Sequence, residues 1–224
     1  MTFSIAARCA RTGMFGVAVS SSSPAVAARC AHTRAGVGAV ASQNITDPSL
    51  GTRALDLMRL GAGASQAIEV LRSSTDFMKY RQLLVVDARG RSAIHTGSDA
   101  LGVRSEAKDE NVACGGNLLA DVRVPAEMVA AFLGSEGHLG DRLLGAMRAA
   151  LKAGGEAGPV HSAGLQLVDK VSWPVADLRV DWTEGCPITE LAAIWDVYKP
   201  QLGAYVTRAL NPEAAPSYGV PGDP

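Results

Sequence analysis

The chain has 224 residues, 47% of them hydrophobic and 19% charged, with a formal net charge of −1. This length suits one domain, of which the fold should bury about 70% of the surface exposed when unfolded, and the composition excludes a disordered chain. The near-neutral balance gives no electrostatic reason to bind nucleic acid or an anionic membrane, and no run of 18 apolar residues exists to span a bilayer.

In chain order, Phe3, Ile5 and Ala7 alternate with Thr2, Ser4, Ala6 and Arg8, the two-residue period of a strand. Arg11-Thr12-Gly13 turns the chain into a second strand over Met14 to Ser20, predicting a hairpin. A third strand is expected over Gly36 to Ser42. Leu50, Ala54, Leu57 and Met58 share one helical face, and after Gly61-Ala62-Gly63 a second helix carries Ala64, Ala67, Ile68 and Leu71. Leu83-Leu84-Val85-Val86 suits a strand buried on both faces, and Arg91 to Thr96 returns beside it. Weaker extended pieces fall at Leu101 to Ser105 and Asn111 to Cys114.

Pro125 suits the first turn of a helix bearing Met128, Val129, Phe132 and Leu133, and Leu139, Leu143, Leu144, Met147 and Leu151 mark the next. Strands follow at Gly164 to Asp169 and Asp177 to Trp182, then a helix from Pro187 that Pro200 interrupts or ends. Blocks of strands and paired helices, instead of single alternation, imply an α+β fold. We read it as a four-layer αββα sandwich of two mainly antiparallel sheets, in one domain over 1–210 with a Pro-rich tail over 211–224.

Few motifs carry chemistry. Gly36 to Ala41 matches a dinucleotide-loop pattern, but loop residues follow where the mechanism needs a helix N-terminus. Cys9, Cys30, Cys114 and Cys186 have no metal-ligand spacing, nor have His32, His95, His138 and His161, so no metal or cofactor is expected. The N-terminus lacks the basic and apolar regions of a signal peptide, which together with unpatterned thiols suggests a reduced, cytoplasmic protein. Ser20 to Ser23 reads as a capping device, with an activated nucleophile as the alternative; Gly115-Gly116-Asn117 suits either a tight turn or oxyanion stabilisation. Removal of Met1 would leave Thr2 with a hydroxyl and a free α-amine on one residue, the N-terminal form of a nucleophile and its base.

Met1 to Ile5, Phe15 to Val19, Arg34 to Gln43, Tyr80-Arg81-Gln82, His95-Thr96-Gly97 and Gly116 to Leu119, in that order, resemble an uncharacterised bacterial branch, a domain of unknown function, of the Ntn-hydrolase (N-terminal nucleophile) superfamily. The resemblance runs from Met1 to about Asp181. It implies the αββα fold, Thr2 as nucleophile, and hydrolysis of a small-molecule amide through an acyl-enzyme. It also implies Ser20 and Ser21 as polar partners of the amine, Gln43 and Asn44 bordering the site, Gly116 and Asn117 as oxyanion donors, and Arg81 and His95 as ligands for a substrate carboxylate or carbonyl. The chain departs from the pattern in offering only serines at the second strand end and no Lys before Lys79. A retained Met1 would block the amine, which leaves a non-catalytic ligand-binding or assembly protein as the alternative, and a serine hydrolase using Ser21 as a third. The low charge and Pro-rich tail suggest a homodimer.

Overall fold

The computed structural model describes residues 1–222. Ten strands form two antiparallel sheets among these residues. β1 (Thr2–Arg8) and β2 (Phe15–Ser21) make the expected hairpin. They belong to a six-stranded sheet with β7 (Ser105–Asp109), β8 (Val112–Asn117), β9 (Ser162–Val168) and β10 (Ala176–Val180), in the order β10-β9-β2-β1-β8-β7. β3 (Ala31–Arg34), β4 (Gly38–Gln43), β5 (Gln82–Asp87) and β6 (Ser92–Thr96) form the second sheet in simple sequence order.

Helices cover both outer faces. α4 (Val124–Leu133), α5 (Leu139–Lys152) and α6 (Pro187–Tyr198) pack on the six-stranded sheet, and α2 (Ser49–Arg59) and α3 (Ala64–Ser74) on the other. The two-residue period divides the core into three layers. Phe3, Ile5, Ala18 and Cys114 turn outward to Met128, Phe132, Leu143 and Trp195. Ala6, Val17, Val19 and Ala113 turn inward to Ala39, Ala41, Leu84 and Val86 of the facing sheet. Val40, Leu83 and Val85 meet Leu50, Ala54 and Leu71. The fold is therefore the α+β sandwich that the block order implies.

Several boundaries differ from the sequence reading: β8 runs on past Cys114 to include Asn117, β10 stops at Val180, and three differences are larger. The third strand starts at Gly38, because Arg34 to Val37 is a turn with Gly36 at φ 70° and Val37 N–H on the Arg34 carbonyl; ahead of it lie the short α1 (Ala27–Cys30) and β3, too brief to show a period. The residues before Ser105 form a loop, and the edge strand runs from Ser105 to Asp109 instead; its alternation is masked by charged, exposed positions. Pro200 interrupts the last helix without ending it: a 3₁₀ turn over Lys199–Gln201 leads into α7 (Leu202–Leu210). Residues 223 and 224 of the expected tail lie outside the described residues.

Candidate functional site

Strand parity decides which candidates meet. Thr2 pairs directly with Asn117 of β8, and Ser21 occupies the next place in β2, so these three side chains stand in one row on the face between the sheets. Thr2 is 6% exposed. Its hydroxyl lies 3.4 Å from Ser21 Oγ, and both hydroxyls donate to the Met1 carbonyl. Ser21 Oγ also accepts the Ser23 N–H at 3.1 Å and lies 2.9 Å from Ser23 Oγ. Ser20 has the opposite parity: it donates to the Ser162 carbonyl at 2.9 Å and does not reach Thr2.

A second row continues inward as an amide chain. Ser4 Oγ donates to Gln43 Oε1 at 2.6 Å, and Gln43 Nε2 donates to Gln82 Oε1 at 2.7 Å and to the Gly115 carbonyl at 3.2 Å. Gln82 Nε2 donates to Thr96 Oγ1 at 3.0 Å and the Gly116 carbonyl at 3.3 Å, and Thr96 in turn donates to the Glu106 carboxylate. Asn117 Nδ2 stands 3.5 Å from Gln82 Oε1, beyond the usual N–H···O distance, and Asn117 Oδ1 is buried without a partner. The carboxamide beside Thr2 is thus held by one long hydrogen bond at its nitrogen, and its oxygen is unpartnered. Gly115 makes room for the chain, since a Cβ there would sit 2.8 Å from Leu84 Cδ2 and 3.4 Å from Gln82 Nε2.

The structure adds Glu156, which sequence reasoning missed. It is 5% exposed in the loop between α5 and β9, held by a bridge to Leu119 and by the Ala157 N–H on the Leu118 carbonyl. Both carboxylate oxygens accept the Ser22 N–H, at 3.2 and 3.3 Å. Burial pushes this carboxyl up to about 7; the N-terminal amine, the Ser22 hydrogen bond and His161 pull it partly back. The only sequence signal was an acid set among glycines, Gly154-Gly155-Glu156-Ala157-Gly158, which reads as an ordinary loop.

The remaining candidates are placed elsewhere. His95 faces the helix side of its sheet, with Nε2 2.9 Å from the Met78 carbonyl, in a cleft of about 800 Å³ that Arg72, Lys79, Arg104 and Glu106 also line. Its neighbour Thr96 is the one that joins the amide chain. Arg81 donates to the Ile45 carbonyl, so its guanidinium clamps a loop. Asn44, at φ 57°, brackets that loop by donating to the Tyr80 carbonyl and accepting the Leu101 N–H at 3.1 Å. Gly116 has the opposite parity to Asn117, and a Cβ there would meet Leu119 instead of the row that holds Thr2. The glycines at 36 and 38 serve a turn and a close approach to the Val86 carbonyl, where a Cβ at Gly38 would fall within 2.5 Å.

Fold and site together define a two-sheet α+β sandwich with a buried polar row at the opening of its first strand and a carboxylate beside it. The family model described as "Family of unknown function (DUF1028)" matches residues 2–191, and the chain belongs to that family. The crystal structure of a DUF1028 protein from Silicibacter pomeroyi is similar, with TM-score 0.82 and 29% identity over 88% of this chain and 89% of that one. More distant are Anbu (ancestral beta-subunit) from Yersinia bercovieri, with TM-score 0.40 and 10% identity over 90% and 96% of the two chains, and an Anbu (Gly-1) mutant from Hyphomicrobium sp. strain MC1, with 0.43 and 11% over 91% and 97%. No curated protein matches the chain. Among the described residues no helix is long and apolar enough to cross a membrane.

Proposed function

We propose that the chain is an N-terminal-nucleophile amidohydrolase acting on a small-molecule amide through an acyl-enzyme on Thr2. The observation that carries this reading is the place of Thr2: first residue of an inner strand, almost wholly buried, its hydroxyl in one row with Ser21 and Asn117. Cleavage of the Met1–Thr2 bond frees an amine on the residue that bears the hydroxyl. The neutral amine takes the hydroxyl proton as Oγ1 attacks the amide carbonyl, and passes it to the leaving amine as the C–N bond breaks. Water then hydrolyses the ester by the same route. Ser21 orients the nucleophile, and the Asn117 Nδ2, held only by its long hydrogen bond to Gln82, donates to the oxyanion.

The test is hydrolysis of a panel of small amides by a chain that starts at Thr2. Thr2→Ala and an N-terminally extended chain are each expected to lose activity by about 10³-fold or more. Full activity in both would sink the reading. One observation favours a non-catalytic ligand-binding role instead: with Met1 in place, its carbonyl takes up both hydroxyls of the row. Intact-mass measurement on protein from its native source separates the two, since quantitative retention of Met1 supports binding.

A further inference from the structure

We infer that Glu156 is a positioning residue whose carboxylate faces and orients the α-amine freed on Thr2. This rests on the reading of Thr2 as nucleophile. The argument begins with an imbalance. A carboxylate this deeply buried ordinarily has a cation or several donors. Glu156 has the Ser22 N–H, and among the described residues no Lys or Arg forms an ion pair with it.

Three contacts place it around the first peptide bond. Ser22, its donor, follows Ser21, whose hydroxyl reaches the Met1 carbonyl. Leu119, its bridge partner, lies two residues after Asn117, the register partner of Thr2. Gly158, two residues after it, stands against the Met1 side chain, where a Cβ would come 3.5 Å from Cε. The charged or titratable groups that act on it are the N-terminal amine and His161, and His161 is itself engaged, with Nδ1 2.8 Å from the Thr183 carbonyl and its ring stacked on Trp182.

The arrangement answers a requirement of the chemistry. An amine that takes the hydroxyl proton of its own residue has to be held in one orientation beside that hydroxyl, and a carboxylate accepting one of its N–H bonds does that. The attraction lowers the proton affinity of the carboxyl and raises that of the amine, so the amine becomes neutral, and competent as base, only above its own raised pKa.

The test needs no substrate. Glutamate carboxyl carbons are followed by NMR against pH in a chain that starts at Thr2 and in one extended beyond Met1. Glu156 is expected to titrate about one to three pH units lower in the Thr2 chain. By reciprocity the Thr2 amine should lose its proton at lower pH in Glu156→Gln by a comparable shift. Gln keeps an acceptor for Ser22. Identical titration of Glu156 in both chains, or an amine indifferent to Glu156→Gln, overturns the inference. Neither outcome touches the hydrolysis test, where Thr2→Ala decides the underlying reading. With an amide found in that panel, Glu156→Gln should lower kcat at unchanged KM and move the acid limb of the profile, while Glu156→Asp restores part of both.

Discussion

Glu156 also bears on stability. Its carboxyl holds a proton up to about 7 in the native state against 4.5 in its unperturbed form. The folded chain therefore binds more protons than the unfolded one between those values. Any stability this group provides is complete below pH 4.5 and drains away as pH rises toward 7, amounting to about 3 kcal/mol for a group this buried. Urea denaturation at pH 5 and pH 7.5 should show that decline, and Glu156→Gln should flatten it. A variant that kept the full slope would assign the dependence to other groups. Parity works at the same scale: Ser20 and Ser21 are equally plausible on paper, but only Ser21 shares the face of Thr2, and only Thr96, not His95, turns to the amide chain.

At the scale of elements, the site depends on how near two sheets can come. Gly115 lies where β8 passes β5, and Gln82 fills the space a side chain would need. Gly115→Ala should cost about 1–3 kcal/mol, because Leu84 and the Gln82 amide must both shift within a packed layer. The expected result is a lower midpoint of thermal unfolding together with weakened Gln43–Gln82 pairing, readable as faster exchange of the side-chain amides. An unchanged midpoint would mean that the sheets separate more easily than their packing suggests. The helices behind those strands were legible because Leu143, Leu144 and Met147 repeat at helical spacing; α1 and β3 were not, since four residues cannot display a period.

On the scale of the whole molecule, three apolar layers bind two sheets and two helical coats into one stack. The last segment sits apart from them. α7 has no buried residue, although Leu202 and Val206 lean on the outer core, and Arg208 reaches forward to the Pro216 carbonyl and stacks over Tyr218 at 3.7 Å. Ending the chain at Asn211 should thus change unfolding free energy by no more than about 1 kcal/mol, mainly the Arg208 stacking. A larger loss would show that the tail covers core, and the proposed boundary at 210 would have to move.

Local pattern alone settled the alternation of strands, the helical stripes, the layer order, and Thr2 as the opening residue of a strand, because period and block order are properties of neighbours along the chain. It could number the side chains of a strand as odd or even but could not say which set faces the other sheet. Folding decided that, and with it that Ser21 and not Ser20 stands in the row of Thr2, while His95, Arg81 and Asn44 make their contacts away from that row. It also brought Glu156, from the loop between α5 and β9, to the N-terminus. A carboxylate acquires its proton affinity from burial and from the charges around it, and both exist only once distant segments have closed over it.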